Sequence, residues 1–179
     1  ADGTVFQYLD FEGVEVEYME WLPPLPKETL PAYAKRMTQK IMTPHPILVG
    51  LSFGGMVAME IAKQIPVKKV ILISSAKERK ELPWFYRFSA KLKLQKILPY
   101  TLIKRTNGFT YWLFGATSAH EKALLKEIFR KTPTTFLKWA INAILTWKNT
   151  EISAHILHIH GDKDRILPYK NIKDTFCIT

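Results

Sequence analysis

The stretch "ILVGLSFGGMVAM", residues 47–59, decides the fold. Its opening "ILVGL" is a short continuous apolar run of the kind a buried strand carries, and the following "MVAMEIAK" has the composition of a helix. Ser52 stands at the junction. A chain that leaves a strand and enters a helix at one serine forces that serine into a positive-φ conformation, and its neighbours two before and two after must then be small. Gly50 and Gly54 satisfy that requirement, and Gly55 is expected to let the helix approach the sheet closely. A dinucleotide turn is excluded by spacing, because "GLSFGG" lacks the second glycine of G-x-G-x-x-G, and no G-x-x-x-x-G-K-[ST] occurs. No phosphate-cradling loop and no cofactor are expected.

Working outward, "VEVEYMEW" (14–21) alternates as a half-covered or edge strand does. Leu30, Tyr33, Ala34, Met37 and Ile41 recur at helical spacing behind Thr29, a candidate N-cap. "VKKVILISS" (67–75), "AHILHIHG" (154–161) and "TFCIT" (175–179) are further strand candidates. Apolar strands alternating with helices predict a mainly parallel, doubly wound α/β sheet covered on both faces. From residue 77 to about 150 the alternation stops, and "HEKALLKEIFRK" and "FLKWAINAILTW" predict helices instead. The expected organisation is a core over 1–76, an inserted helical cap over 77–150, and a return to the core over 151–179.

The 179 residues carry a formal charge of +10. Fifteen Lys or Arg against four Glu fall between 77 and 150, a net of +11, which leaves −1 for the remainder. The basic character therefore belongs to the helical block, and no nucleic-acid motif accompanies it, so nucleic acid is not an expected partner. No run approaches the roughly 18 apolar residues of a membrane span, and no signal segment is legible. A cytoplasmic protein without membrane insertion is expected. The one cysteine, Cys177, excludes an internal disulfide and a multi-cysteine metal site, and predicts a small buried residue on a strand.

"GLSFGG" and, past the third strand, "HGDKDRILP" (160–168) together resemble the α/β-hydrolase superfamily across nearly the whole chain. The first matches its G-x-S-x-G nucleophile elbow and the second its H-G-x-x-D-x-x-x-P acid loop. The resemblance implies Ser52 as nucleophile, Asp164 as the acid, and the Phe53 backbone N–H as one oxyanion donor; Asp162 is the competing carboxylate, read as a turn or capping residue. It also places a catalytic histidine on a loop beyond "TFCIT". His45, His120, His155, His158 and His160 are read as structural, so the base and the second oxyanion donor are expected beyond the two ends of this sequence. The implied activity is a carboxylesterase acting on a small ester with an apolar or aromatic group. The same fold also carries thioesterases, carbon–carbon bond hydrolases, lyases and non-catalytic relatives, and these alternatives stay open.

Overall fold

Ile47–Leu51 form β1, Lys69–Ile73 β2, Ile156–Gly161 β3 and Phe176–Ile178 β4. The computed structural model that defines them describes residues 3–6, 9–91, 106–152, 155–173 and 175–178. The strands lie in the order β1-β2-β3-β4 and every neighbouring pair is parallel. Register sets Leu51 beside Ile73 and Ile73 beside Ile159, so the chain leaves β1, β2 and β3 along one edge of the sheet. That shared edge is where a parallel sheet collects its loops.

One face carries Leu48, Val70, Leu72 and His158, all buried. Helix α2 (Phe53–Ala62) lies against it, burying Met56, Val57, Ala58, Met59 and Ile61. Helix α1 (Leu30–Thr38) packs on α2 through Tyr33, Ala34 and Met37, the predicted spacing, and Thr29 caps it by accepting the Ala32 N–H at 3.4 Å. The other face is more open than the continuous apolar run of "ILVGL" predicts. Ile47 and Val49 are 47% and 39% exposed, because no described element packs over their side of β1. Cys177 likewise lies on a strand, as expected, but is exposed there rather than buried.

Residues 14–21 are not a strand. Their alternation is correct for one, but a strand exists only through hydrogen bonds to a neighbour, and no described strand lies beside them. Val14, Val16 and Tyr18 stay exposed, while Met19, Trp21 and Leu22 turn into the core. Between β2 and β3 come α3 (Trp84–Lys91), α4 (Gly108–Leu113), α5 (Ala119–Lys131) and α6 (Thr134–Thr146). None of the described helices is long and apolar enough to cross a membrane.

Helix α6 buries Phe136 and Trp139 in an aromatic cluster with Trp21, Tyr33 and Phe53, the tightest pair being Tyr33 and Trp139 at 4.3 Å between ring centroids. The cluster joins the segment before α1, α1 itself, the start of α2 and α6. Two of its polar groups are tied to backbone: Trp139 Nε1–H donates to the Glu28 carbonyl at 2.8 Å, and Tyr33 Oη donates to the Leu22 carbonyl and accepts the Leu22 N–H. Burial pushes the Tyr33 hydroxyl up to about 12. Tyr33→Phe strips both partners from Leu22 and is expected to cost about 1–3 kcal/mol. Urea denaturation should show a lower midpoint with an unchanged slope, and an unaltered midpoint would mean the hydroxyl contributes nothing.

Candidate active site

Ser52 has φ 50° and ψ −119°, the strained backbone that the strand-to-helix junction predicts. It is held from β2. Its N–H donates to the Ile73 carbonyl at 2.9 Å, and its carbonyl accepts the Ser75 hydroxyl at 2.7 Å and the Gly55 N–H at 3.0 Å. The glycines around it divide into two kinds. A Cβ on Gly50 would sit 2.5 Å from the Gly55 backbone, and one on Gly55 would sit 2.3 Å from Ser75 Oγ. Both must be glycine for α2 to lie so close to the sheet. Gly54 differs from the sequence expectation, since a Cβ there would meet only the Trp21 ring at 3.8 Å, an ordinary contact.

The Ser52 residue is exposed. Phe53 is the first residue of α2, so its N–H has no acceptor within the helix and lies at the positive end of the helix dipole. Such an N–H can meet a developing negative oxygen next to the Ser52 hydroxyl.

Asp164 lies at the same edge, in the turn that follows β3, closed by its own N–H donating to the Gly161 carbonyl at 3.3 Å. Only β2 separates β1 from β3, a distance of about 10 Å between strand axes. Asp164 Oδ1 accepts the N–H groups of Ile166 and Leu167 at 2.8 and 2.9 Å, and Oδ2 lies 3.4 Å from His160 Nε2. Burial would push this carboxyl up, but the His160 contact and the two N–H bonds outweigh it and hold it below its ordinary value. Asp162 is exposed and takes the Ile178 carbonyl through its backbone N–H, as a turn residue does.

Under the loop is a buried polar layer. His160 is fully buried, and although burial opposes its protonation, the Asp164 carboxylate and the Leu167 carbonyl raise its pKa. His158, buried beside it, is pushed down to about 4 by burial and by the nearby His160 and Lys77. Lys77 donates its backbone N–H to Glu81 Oε2 at 2.6 Å and its ammonium to the Lys173 carbonyl, with Glu81 Oε1 3.6 Å away. The pair links the exit of β2 to the approach of β4. Burial raises the Glu81 pKa despite these bonds.

Two helices from the block after β2 reach the acid loop. Tyr86 of α3 donates its hydroxyl to the Ile166 carbonyl at 3.1 Å. Arg165 lays its guanidinium 4.7 Å from the centre of the α4 Trp112 ring and donates to the Trp112 carbonyl at 2.5 Å. Beside the aromatic cluster that holds Phe53 is a cavity of about 400 Å³, walled by Trp21, Leu22, Pro23, Ile128 and Phe136 among others. No group of His, Cys, Asp and Glu suited to a metal ion occurs among the described residues.

The structure thus sets Ser52, the Phe53 N–H and Asp164 along one sheet edge, while His45 sits in a turn and His155 precedes β3. His120 lies in the first turn of α5. Sequence reasoning missed Ser75 as the clamp on Ser52 and His160 as a partner of Asp164. The first has no motif signal; the second could have been found from the four-residue spacing of "HGDKD".

Gly50→Ala or Gly55→Ala is expected to destabilise the protein by about 3 kcal/mol, whereas Gly54→Ala should change stability by less than about 1 kcal/mol. Thermal unfolding of the three variants checks this ordering. His158 predicts a pH effect of definite sign. Its folded-state pKa lies below its unfolded value, so the unfolded chain binds the extra proton between about pH 6.5 and 4 and stability falls as pH drops through that window. His158→Gln should remove about 2 kcal/mol of that loss at pH 4, read from denaturation midpoints at pH 7 and pH 4; equal pH slopes in both proteins would refute it.

No protein-family model matches the chain and no curated protein matches it. Solved structures do. An esterase from Exiguobacterium antarcticum superposes with a TM-score of 0.62 at 16% identity, over 84% of this chain and 64% of its own. A homoserine O-acetyltransferase from Staphylococcus aureus gives 0.52 at 15%, over 87% and 59%. A hydrolase from Oleispira antarctica gives 0.56 at 13%, over 84% and 63%. The chain spans 59 to 64% of the lengths of these three proteins.

Proposed function

We propose, from the α/β-hydrolase fold that the chain shares with these structures, that it carries the nucleophile and acid of a serine hydrolase acting on ester-type bonds of a small molecule. The observation that carries this is the backbone of Ser52. A non-glycine residue held at φ 50° by three hydrogen bonds, exposed, and followed at once by a helix N-terminus is strain kept at a site of chemistry.

In this mechanism Ser52 Oγ attacks the ester carbonyl and its proton passes to a histidine supplied from outside these 179 residues. Asp164 holds that imidazole in the tautomer that accepts the proton and balances the charge that then forms on it. The Phe53 N–H meets the oxyanion, with a second donor also from outside. The alcohol departs with the proton from the imidazole, and water, activated by the same base, releases the acid and restores Ser52. Asp164 suits its part because it is already ionised and has both oxygens oriented.

Residues 77–150 form the cap in this reading, since α3 and α4 both grip the acid loop. An apolar or aromatic substrate group is supported by the aromatic rings packed around Phe53, namely Trp21, Phe136 and Trp139. Acyl transfer to an alcohol in place of water uses the same acyl-serine step, and the structural likeness to an acetyltransferase supports that acceptor as a second reading.

A fluorophosphonate probe should label Ser52 in the complete protein, and Ser52→Ala should abolish labelling. Asp164→Ala should lower kcat on p-nitrophenyl esters by about 10³- to 10⁴-fold. A folded, complete protein that takes no label would defeat the hydrolase reading.

A further inference from the structure

Beneath the acid loop is an imidazole that the mechanism above does not use. Nε2 of His160 lies 2.7 Å from the Leu167 carbonyl and 3.4 Å from Asp164 Oδ2, and its Nδ1 lies 3.4 Å from His158 Nε2. A carbonyl has no proton to donate, so Nε2 carries the hydrogen and donates it to Leu167, with Asp164 Oδ2 beside it as a longer electrostatic contact. Leu167 is in turn bound through its N–H to Asp164 Oδ1. His160, Asp164 and Leu167 therefore close a three-membered ring of contacts in which each holds the other two.

We propose that His160 is a positioning residue for the acid: its Nε2–H holds the Leu167 carbonyl while the ring faces Asp164 Oδ2, and together these contacts fix the rotation of the Asp164 carboxylate, so that the same edge of that group always faces the base. The inference rests on Asp164 being the acid of the proposed triad. An aspartate carboxylate otherwise turns broadly about its last torsion. Here Oδ1 is anchored by two backbone N–H groups and Oδ2 by His160 on its inner side, while the side chain keeps 15% of its surface exposed. That remaining surface is where a further donor can reach Asp164. His160 faces titratable and charged groups on several elements: His158 on β3, Asp164 in the loop, and Lys77 and Glu81 from the segment after β2, with the Tyr169 ring 6.4 Å away. Misplacing a catalytic group by about 1 Å costs on the order of 100-fold, so the expected effect is on kcat.

The test compares His160→Gln with His160→Asn in the complete protein. Glutamine can place its amide N–H where Nε2 stood, whereas asparagine reaches only as far as Nδ1. His160→Asn is expected to lose about 10- to 100-fold in kcat with KM unchanged, and His160→Gln to recover most of it. Carbon-13 NMR of the Asp164 carboxyl supplies a readout that needs no activity. Its pKa should rise in His160→Asn and stay low in His160→Gln.

Equal kinetics and equal carboxyl titration in the two variants, or an unchanged kcat in a folded His160→Asn, would overturn the inference. Should His160→Asn fail to fold, His160→Gln decides: a wild-type kcat and a low Asp164 pKa support the donor role, and a loss of both refutes it. Asp164→Ala separates the two levels. If that variant keeps its kcat, the assignment of Asp164 as the acid is what fails, while the NMR comparison still tests the contact itself.

Discussion

The Ser75 hydroxyl donates to the Ser52 carbonyl across 2.7 Å, and this bond is possible only because Gly55 leaves room for it. A methyl group on Gly55 would collide with Ser75, and one on Gly50 would collide with the Gly55 backbone, so β1, β2 and α2 are locked by atoms that are absent. From that contact follow the position of Ser52, the direction of α2 and hence the aim of the Phe53 N–H. At Gly50 the overpacking cannot be relaxed by a rotamer change, because the atoms in the way belong to the backbone of Gly54 and Gly55, whereas at Gly55 it is the Ser75 side chain, and with it the bond to Ser52, that would have to give way.

The acid side of the site is built on another principle. Asp164 is organised by its own loop and by a histidine four residues before it, and the helices after β2 reach in only at the loop's outer residues, through Tyr86 and through Arg165 with Trp112. Two pairs hold this region, Asp164 against His160 and Glu81 against Lys77, with His158 kept neutral beside them. A neutral imidazole there avoids burying a further positive charge beside Lys77.

Much of this was legible in the sequence wherever local chemistry dictates structure. Ile47–Leu51 is a strand where "ILVGL" predicts one, Thr29 caps α1, and the positive φ of Ser52 follows from a strand running directly into a helix. What could not be read depends on contacts between distant residues. Alternation in 14–21 fits a strand, yet a strand also needs a neighbour, which periodicity does not reveal. Cys177 and Val49 are apolar enough for a core, but their exposure is set by what packs over the sheet. Ser75 belongs to no motif, and its part in the elbow appears only when β2 is laid beside β1.

The restraints on Ser52 span the 23 residues to Ser75, whereas those on Asp164 lie within His160 to Leu167. Contacts close in sequence form at small entropic cost and distant ones come later. The loop around Asp164 can therefore take shape within its own segment, but Ser52 acquires its strained backbone only once the second strand has docked. A nascent or partly unfolded chain holds Ser52 as an ordinary relaxed serine, so the strained geometry on which the proposed chemistry rests arrives with the completed fold and leaves with it.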